Sequence, residues 1–151
     1  MQYLPFLYGA YGSNLNKAQM RIRCETAEPV GMMLLPDYRL TFRGVADIER
    51  SKGDEVALGL WNITQKDLEH LDVYEGFPHL YRREHVVIHN GLPVMVYIMQ
   101  SQETVYAPTQ HYLSTIRDGF EDFELDNNLL VQAVKRSYTL ETVYTPQSKV
   151  I

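Results

Sequence analysis

Leu7-Tyr8-Gly9-Ala10-Tyr11-Gly12-Ser13-Asn14-Leu15 is the stretch on which the reading of the fold turns. The apolar run from Tyr3 to Tyr8 reads as a strand, and it breaks into two glycines, a serine and an asparagine. A polar, helix-like segment follows from Asn16. Gly9 and Gly12 are expected to supply positive φ angles and to leave no side chain in the way. A strand ending in such a turn aims several backbone N–H groups at one spot, and a nest of donors attracts an anion. Gly9, Ala10, Tyr11, Gly12, Ser13 and Asn14 are therefore a candidate binding loop for a small acidic molecule. The same residue types also close ordinary turns. The loop is not a dinucleotide fingerprint, since the third glycine is missing, and no Gly-Lys-Ser/Thr follows to make a phosphate loop. Nor does Ser13 sit in Gly-x-Ser-x-Gly, so a nucleophile elbow is absent, though its hydroxyl can still bond a ligand.

Working outward, 151 residues at 45% hydrophobic and 22% charged fit one globular domain with a real core. We assign it to residues 1–144 and expect 145–151 to be a loose tail. A net charge of -5 argues against nucleic acid as a partner. The basic clusters Arg82-Arg83 and Lys135-Arg136 are too short to track a phosphate backbone. Cys24 is the single cysteine and can form no internal disulfide, which fits a reducing cytoplasm. No apolar run reaches membrane-spanning length, and the N-terminus lacks the basic-then-apolar pattern of a signal peptide, so no membrane partner is expected. The histidines, His70, His79, His85, His89 and His111, show no metal-ligand spacing, and no metal is expected.

Alternation from Tyr38 to Phe42 and through Val56, Leu58 and Leu60 predicts two further strands. Glu84 to His89 and Pro93 to Met99 predict another pair, joined by a tight turn at Asn90-Gly91. Ser51 to Glu55 reads as an exposed turn. Thr64 can cap a helix with Leu68 and Leu71 on one face. Thr109 can cap a second, lined by Tyr112, Leu113 and Ile116 and ended by Gly119, and Asp126 a third. The sum is an α+β protein: a small, mixed, mainly antiparallel β-barrel of five or six strands with flanking helices.

Glu75 is the candidate for chemistry. It stands among Val73, Tyr74, Phe77 and Pro78, with Gly76 and Pro78 forcing a turn after it. A carboxyl group in apolar company has a raised pKa, because desolvation disfavours its charged form. Such a group can act first as base and then as acid. A surface acid ending a helix would look the same in sequence.

Together these motifs resemble the gamma-glutamylcyclotransferase family. The likeness rests on Tyr11-Gly12-Ser13-Asn14-Leu15, Pro29-Val30-Gly31, Asp37-Tyr38-Arg39-Leu40-x-Phe42 and Gly44-Val45-Ala46-Asp47-Ile48-Glu49. It continues through Gly59-Leu60-Trp61-x-Ile63-Thr64 and Leu71-Asp72-x-Tyr74-Glu75-Gly76-x-Pro78-x-x-Tyr81-x-Arg83 to Pro108-x-x-x-Tyr112-Leu113-x-x-Ile116-x-x-Gly119. The resemblance implies a small barrel with helices that releases 5-oxoproline from a γ-glutamyl amino acid, amine or isopeptide without a cofactor. It maps the catalytic glutamate onto Glu75, the ligand loop onto Gly9 to Asn14, and a ligand-reaching tyrosine onto Tyr112. A module that binds γ-glutamyl groups without turnover, or a cyclising deprotection step in a biosynthetic pathway, would carry the same residues. The leaving amine and the oligomeric state are not legible.

Overall fold

The computed structural model describes the backbone of residues 2–150 and the side chains of 2–138. The chain runs β1 (Tyr3–Ala10), a 3₁₀ turn (Ser13–Leu15), α1 (Lys17–Arg23), β2 (Glu28–Arg43), β3 (Val45–Thr64) and α2 (Gln65–Glu75). It continues with β4 (Tyr81–His89), β5 (Leu92–Met99), α3 (Gln110–Asp122) and α4 (Asn127–Val150). The expected tail, 145–151, falls outside the residues whose side chains are described.

The five strands form one sheet in the order β2-β3-β1-β5-β4, and only the β1–β5 pairing is parallel. The opening apolar run thus becomes the central strand, which is why its last four residues are fully buried. The sheet is curled but does not close, because its two edge strands, β2 and β4, do not pair. Curling comes from the far end of the long β2–β3 hairpin, which folds back over the other half. There the Tyr81 hydroxyl donates to Ala46 O at 2.6 Å, and the Met99 N–H donates to Asp47 Oδ1 at 3.0 Å. The core is continuous across sheet and helices, with Leu15, Phe42, Ile48, Leu58, Ile63, Leu71 and Ile116 wholly inside.

Three local readings change. The strands expected around Tyr38–Phe42 and Val56–Trp61 are parts of one long hairpin that turns at Gly44, φ 80°, between Arg43 and Val45, and Ser51 to Glu55 does not separate two strands. Residues 51–54 are instead an exposed irregularity within β3, opposite Asp37, whose Oδ1 accepts from Gly53 N–H at 3.0 Å. Gly119 does not end α3, which runs on to Asp122. A Cβ there would lie 2.5 Å from Leu15 Cβ and 2.8 Å from Asn16 N, so the glycine lets α3 pack directly against the 3₁₀ turn. Gly9 and Gly12 likewise serve close packing rather than positive φ: a Cβ on Gly12 would meet Ala46 Cβ at 3.0 Å, and one on Gly9 would meet Val94 Cγ1 at 2.9 Å. The caps stand as read. Thr64 and Asp67 form a reciprocal capping box on α2, and Thr109 caps α3 at 3.2 Å.

Candidate functional site

Three local choices deliver the site. The β1 strand ends at Ala10, and the chain tightens into the 3₁₀ turn, whose first internal bond is Leu15 N–H to Gly12 O at 3.0 Å. The N–H groups of Ser13 and Asn14 precede that bond and have no acceptor within the turn. Helix α2 ends on Glu75 because Gly76 takes the left-handed conformation, φ 67°, and its N–H caps the Asp72 and Val73 carbonyls. Helix α3 brings Tyr112 over the hairpin end, where its hydroxyl accepts from Ala46 N–H at 3.0 Å.

These pieces enclose a cavity of about 250 Å³, lined by Tyr8, Tyr11, Gly12, Ser13, Asn14, Val45, Ala46, Tyr74, Glu75, Leu80, Tyr81, Tyr97 and Tyr112. Of the residues expected from sequence, Tyr11, Gly12, Ser13, Asn14, Glu75 and Tyr112 meet there. Gly9 and Ala10 do not line it; they lie within β1, paired with Leu60 and Gly59 of β3. Sequence reasoning missed Tyr8 and Tyr97 on the walls and Arg23 behind them. Tyr8 lay in plain sight as an inward residue of the opening strand. Arg23 gave no signal, since a basic residue in a helix's last turn is ordinary.

Six of the thirteen lining residues are tyrosine, and their hydroxyls are largely committed. Tyr11 donates to Tyr97 O at 2.6 Å, Tyr97 to Asp72 Oδ1 at 2.7 Å, and Tyr81 to Ala46 O. Tyr74 shares a 2.9 Å hydrogen bond with Ser13 Oγ. Burial pushes the Tyr8, Tyr11, Tyr81, Tyr97 and Tyr112 phenols up, so all stay neutral.

Glu75 is half-buried, and its carboxylate carries the one charge in the cavity lining. Asn14 Nδ2 donates to Glu75 Oε1 at 3.2 Å and to the Tyr8 hydroxyl at 2.9 Å. Arg23 Nη1 in turn donates to Asn14 Oδ1, and its guanidinium lies 3.4 Å from the Tyr74 ring centroid. Desolvation raises the Glu75 pKa to about 7, against the downward pull of the Arg23 charge and the Asn14 bond. The outcome is a proton acceptor and donor poised near neutrality on the wall of a small cavity of neutral donors. Cys24, by contrast, is packed away with its thiol pushed up to about 12, and it is no nucleophile.

Comparison with known proteins gives the family of the chain. The profile of the family described as "Gamma-glutamyl cyclotransferase, AIG2-like" matches residues 8–116, and the chain belongs to that family. Curated relatives from Bos taurus and Homo sapiens, both named gamma-glutamylcyclotransferase, are 35% identical over 83 residues. Each match covers 47% of this chain and 44% of the relative, so the chain spans under half the length of the curated proteins it matches. A solved structure named "Gamma-glutamyl cyclotransferase" superposes with a TM-score of 0.74 at 26% identity, covering 85% of both chains.

Proposed function

We propose that the chain releases 5-oxoproline from a γ-glutamyl amine, amino acid or isopeptide, with Glu75 as the single proton carrier. The observation that carries this reading is the Glu75 carboxyl, with a pKa of about 7, on the wall of the cavity. The substrate's α-amine must attack its own γ-carbonyl, but near pH 7 it is mostly an ammonium, with a pKa of about 8. Passing that proton to a carboxylate near 4.5 would cost about 5 kcal/mol; passing it to one near 7 costs about 1.4 kcal/mol. The freed nitrogen then forms the lactam C–N bond. As the bond to the leaving amine breaks, Glu75 gives that amine the first proton; the regenerated carboxylate then takes the second from the ring nitrogen, and the departing amine carries it off as an ammonium. Charge developing on the γ-carbonyl oxygen would be held by the Ser13 and Asn14 N–H groups, and each such donor is typically worth about 3 kcal/mol. Because nucleophile and electrophile share one molecule, holding the chain curled supplies much of the remaining acceleration. The reaction as written uses no metal or organic cofactor.

The test is a panel of γ-glutamyl amino acids, γ-glutamyl amines and glutathione scored for 5-oxoproline. Release from at least one, abolished in Glu75→Gln with the fold intact, is the expected result. Ligand binding without turnover across the panel would favour the binding module.

A further inference from the structure

A guanidinium has hydrogen-bond donors and no acceptor. Because Arg23 Nη1 reaches the Asn14 side chain, the atom it meets must be the amide oxygen. That fixes the amide: both N–H bonds of Nδ2 point the other way, one to Glu75 Oε1 and one to the Tyr8 hydroxyl. Asn14 is 3% exposed, and these contacts satisfy both N–H bonds and the oxygen of its side-chain amide. Arg23 is itself held from three sides, by Gln19 Oε1 at 3.2 Å, by the Tyr74 ring, and by His70 Nδ1 on its carbonyl at 3.0 Å. The donor direction therefore runs one way, from Arg23 through Asn14 to two acceptors. Since the Tyr8 oxygen accepts, its own proton is left for another partner. Tyr8 is 4% exposed and lines the cavity, whereas Tyr11, Tyr81 and Tyr97 spend their protons on protein oxygens.

We propose that Arg23 is a positioning residue that sets the polarity of Asn14, and that this polarity makes Tyr8 a hydrogen-bond donor to the substrate. The proposal rests on the cyclising reading of the cavity. Reversing the amide would present an oxygen to Glu75 and turn the Tyr8 proton inward, away from the ligand. Among the titratable groups around Glu75, Arg23 is the cation that meets the Asn14 oxygen. The phenols of Tyr8 from β1, Tyr81 from β4, Tyr97 from β5, Tyr112 from α3 and Tyr11 beside the 3₁₀ turn are neutral, as is the Cys24 thiol. Asp72, on the same helix, is engaged by Tyr97 and by Arg83 at 3.5 Å.

The experiment follows the Glu75 carboxyl by carbon-13 NMR titration in wild type, Arg23→Met, Arg23→Lys and Tyr8→Phe, alongside kcat/KM for the best γ-glutamyl compound of the panel. Arg23→Met is expected to move the Glu75 midpoint upward by about one pH unit, with the acid limb of kcat/KM following it, and Arg23→Lys to return both toward wild type. Tyr8→Phe is expected to raise KM about tenfold while leaving the Glu75 midpoint near its wild-type value. An unmoved midpoint in Arg23→Met, or unchanged kinetics in Tyr8→Phe, overturns the proposal. If Arg23→Met does not fold, the Tyr8→Phe kinetics decide. Absence of turnover in wild type would sink the cyclising reading instead. The NMR titration would still report on Arg23, and in that case 5-oxoproline binding to wild type and Tyr8→Phe reports on Tyr8.

Discussion

Asp47 and Glu75 are two carboxylates near the same cavity, and they are treated in opposite ways. Asp47 is wholly buried and saturated: Arg43 Nε donates to it at 2.9 Å, the Met99 N–H at 3.0 Å and Gln102 Nε2 at 2.8 Å. Arg43 also reaches Glu49 at 2.6 Å and Thr104 O at 2.8 Å, so this cluster ties the hairpin end to the β5 edge and the chain beyond it. Glu75 receives one side-chain hydrogen bond, from a neutral amide, and faces the cavity. A carboxylate whose oxygens are all taken up by protein donors holds structure together. An under-supplied one keeps a proton within reach and is free for chemistry.

Breaking the Glu75 side of this contrast should have the largest effect. Glu75→Gln keeps shape and the Asn14 contact but can carry no proton. We expect 5-oxoproline release to fall about 10³-fold, or about 4 kcal/mol in barrier, within the range typical of a lost general base. The fold should persist, as judged by circular dichroism and a cooperative melt. Breaking the other side should do the reverse. Asp47→Ala leaves Arg43 with less compensation in a dry place, and we expect a loss of about 3–5 kcal/mol in denaturant unfolding. Any loss of activity should then track the unfolded fraction. A variant as stable as wild type but inactive would show that Asp47 belongs to the chemistry instead.

A smaller effect probes the contact that holds the 3₁₀ turn. Gly119→Ala places a methyl group against Leu15 and the Asn16 backbone, which cannot rotate away as a side-chain tip can. Overpacking of this kind costs about 1–3 kcal/mol. Because the 3₁₀ turn must shift to make room, KM for the γ-glutamyl substrate should rise as stability falls. Unchanged stability would show that α3 is less tightly seated than the geometry indicates.

Much of this was legible in sequence where one local rule decides the outcome. Asn90-Gly91 forms the tight turn expected of it, both residues at positive φ. Thr64, Thr109 and Asp126 bond the first turns of their helices, and Asp126 Oδ1 accepts from Asn128 N–H at 2.9 Å. Glu75 was visible because its apolar neighbours and the Gly76 stop are adjacent in sequence. What was not legible depends on contacts between distant segments. Gly12 and Gly119 look like turn residues, yet what requires glycine there is the approach of Ala46 and of Leu15, which no local pattern encodes. Arg23 lies nine residues from Asn14, on a different element, and only folding makes the pair. That the strands around Tyr38–Phe42 and Val56–Trp61 belong to one long hairpin turning at Gly44 was not legible, because the pairing resumes beyond the irregularity at residues 51–54, which local composition shows only as an exposed turn.

The smallest effect, and the one that isolates the electrostatic half of the contrast, is the pH dependence of stability. Glu75 titrates near 4.5 when unfolded and near 7 when folded, so the folded state binds the proton more tightly. A raised folded pKa contributes stability that is fully present below about 4.5 and is lost as pH rises through about 7. Between those limits wild type should therefore lose stability relative to Glu75→Gln, whose side chain does not titrate. The full shift corresponds to roughly 3 kcal/mol, and partial solvent contact reduces it to on the order of 1–2 kcal/mol. Melting both proteins at pH 5 and pH 8 gives the comparison. The gap should shift toward the Gln variant at pH 8, and most of the change should fall between about pH 5 and 7. A gap that does not vary with pH would mean that Glu75 is solvated like any surface acid. The site would then lose the property that separates it from Asp47.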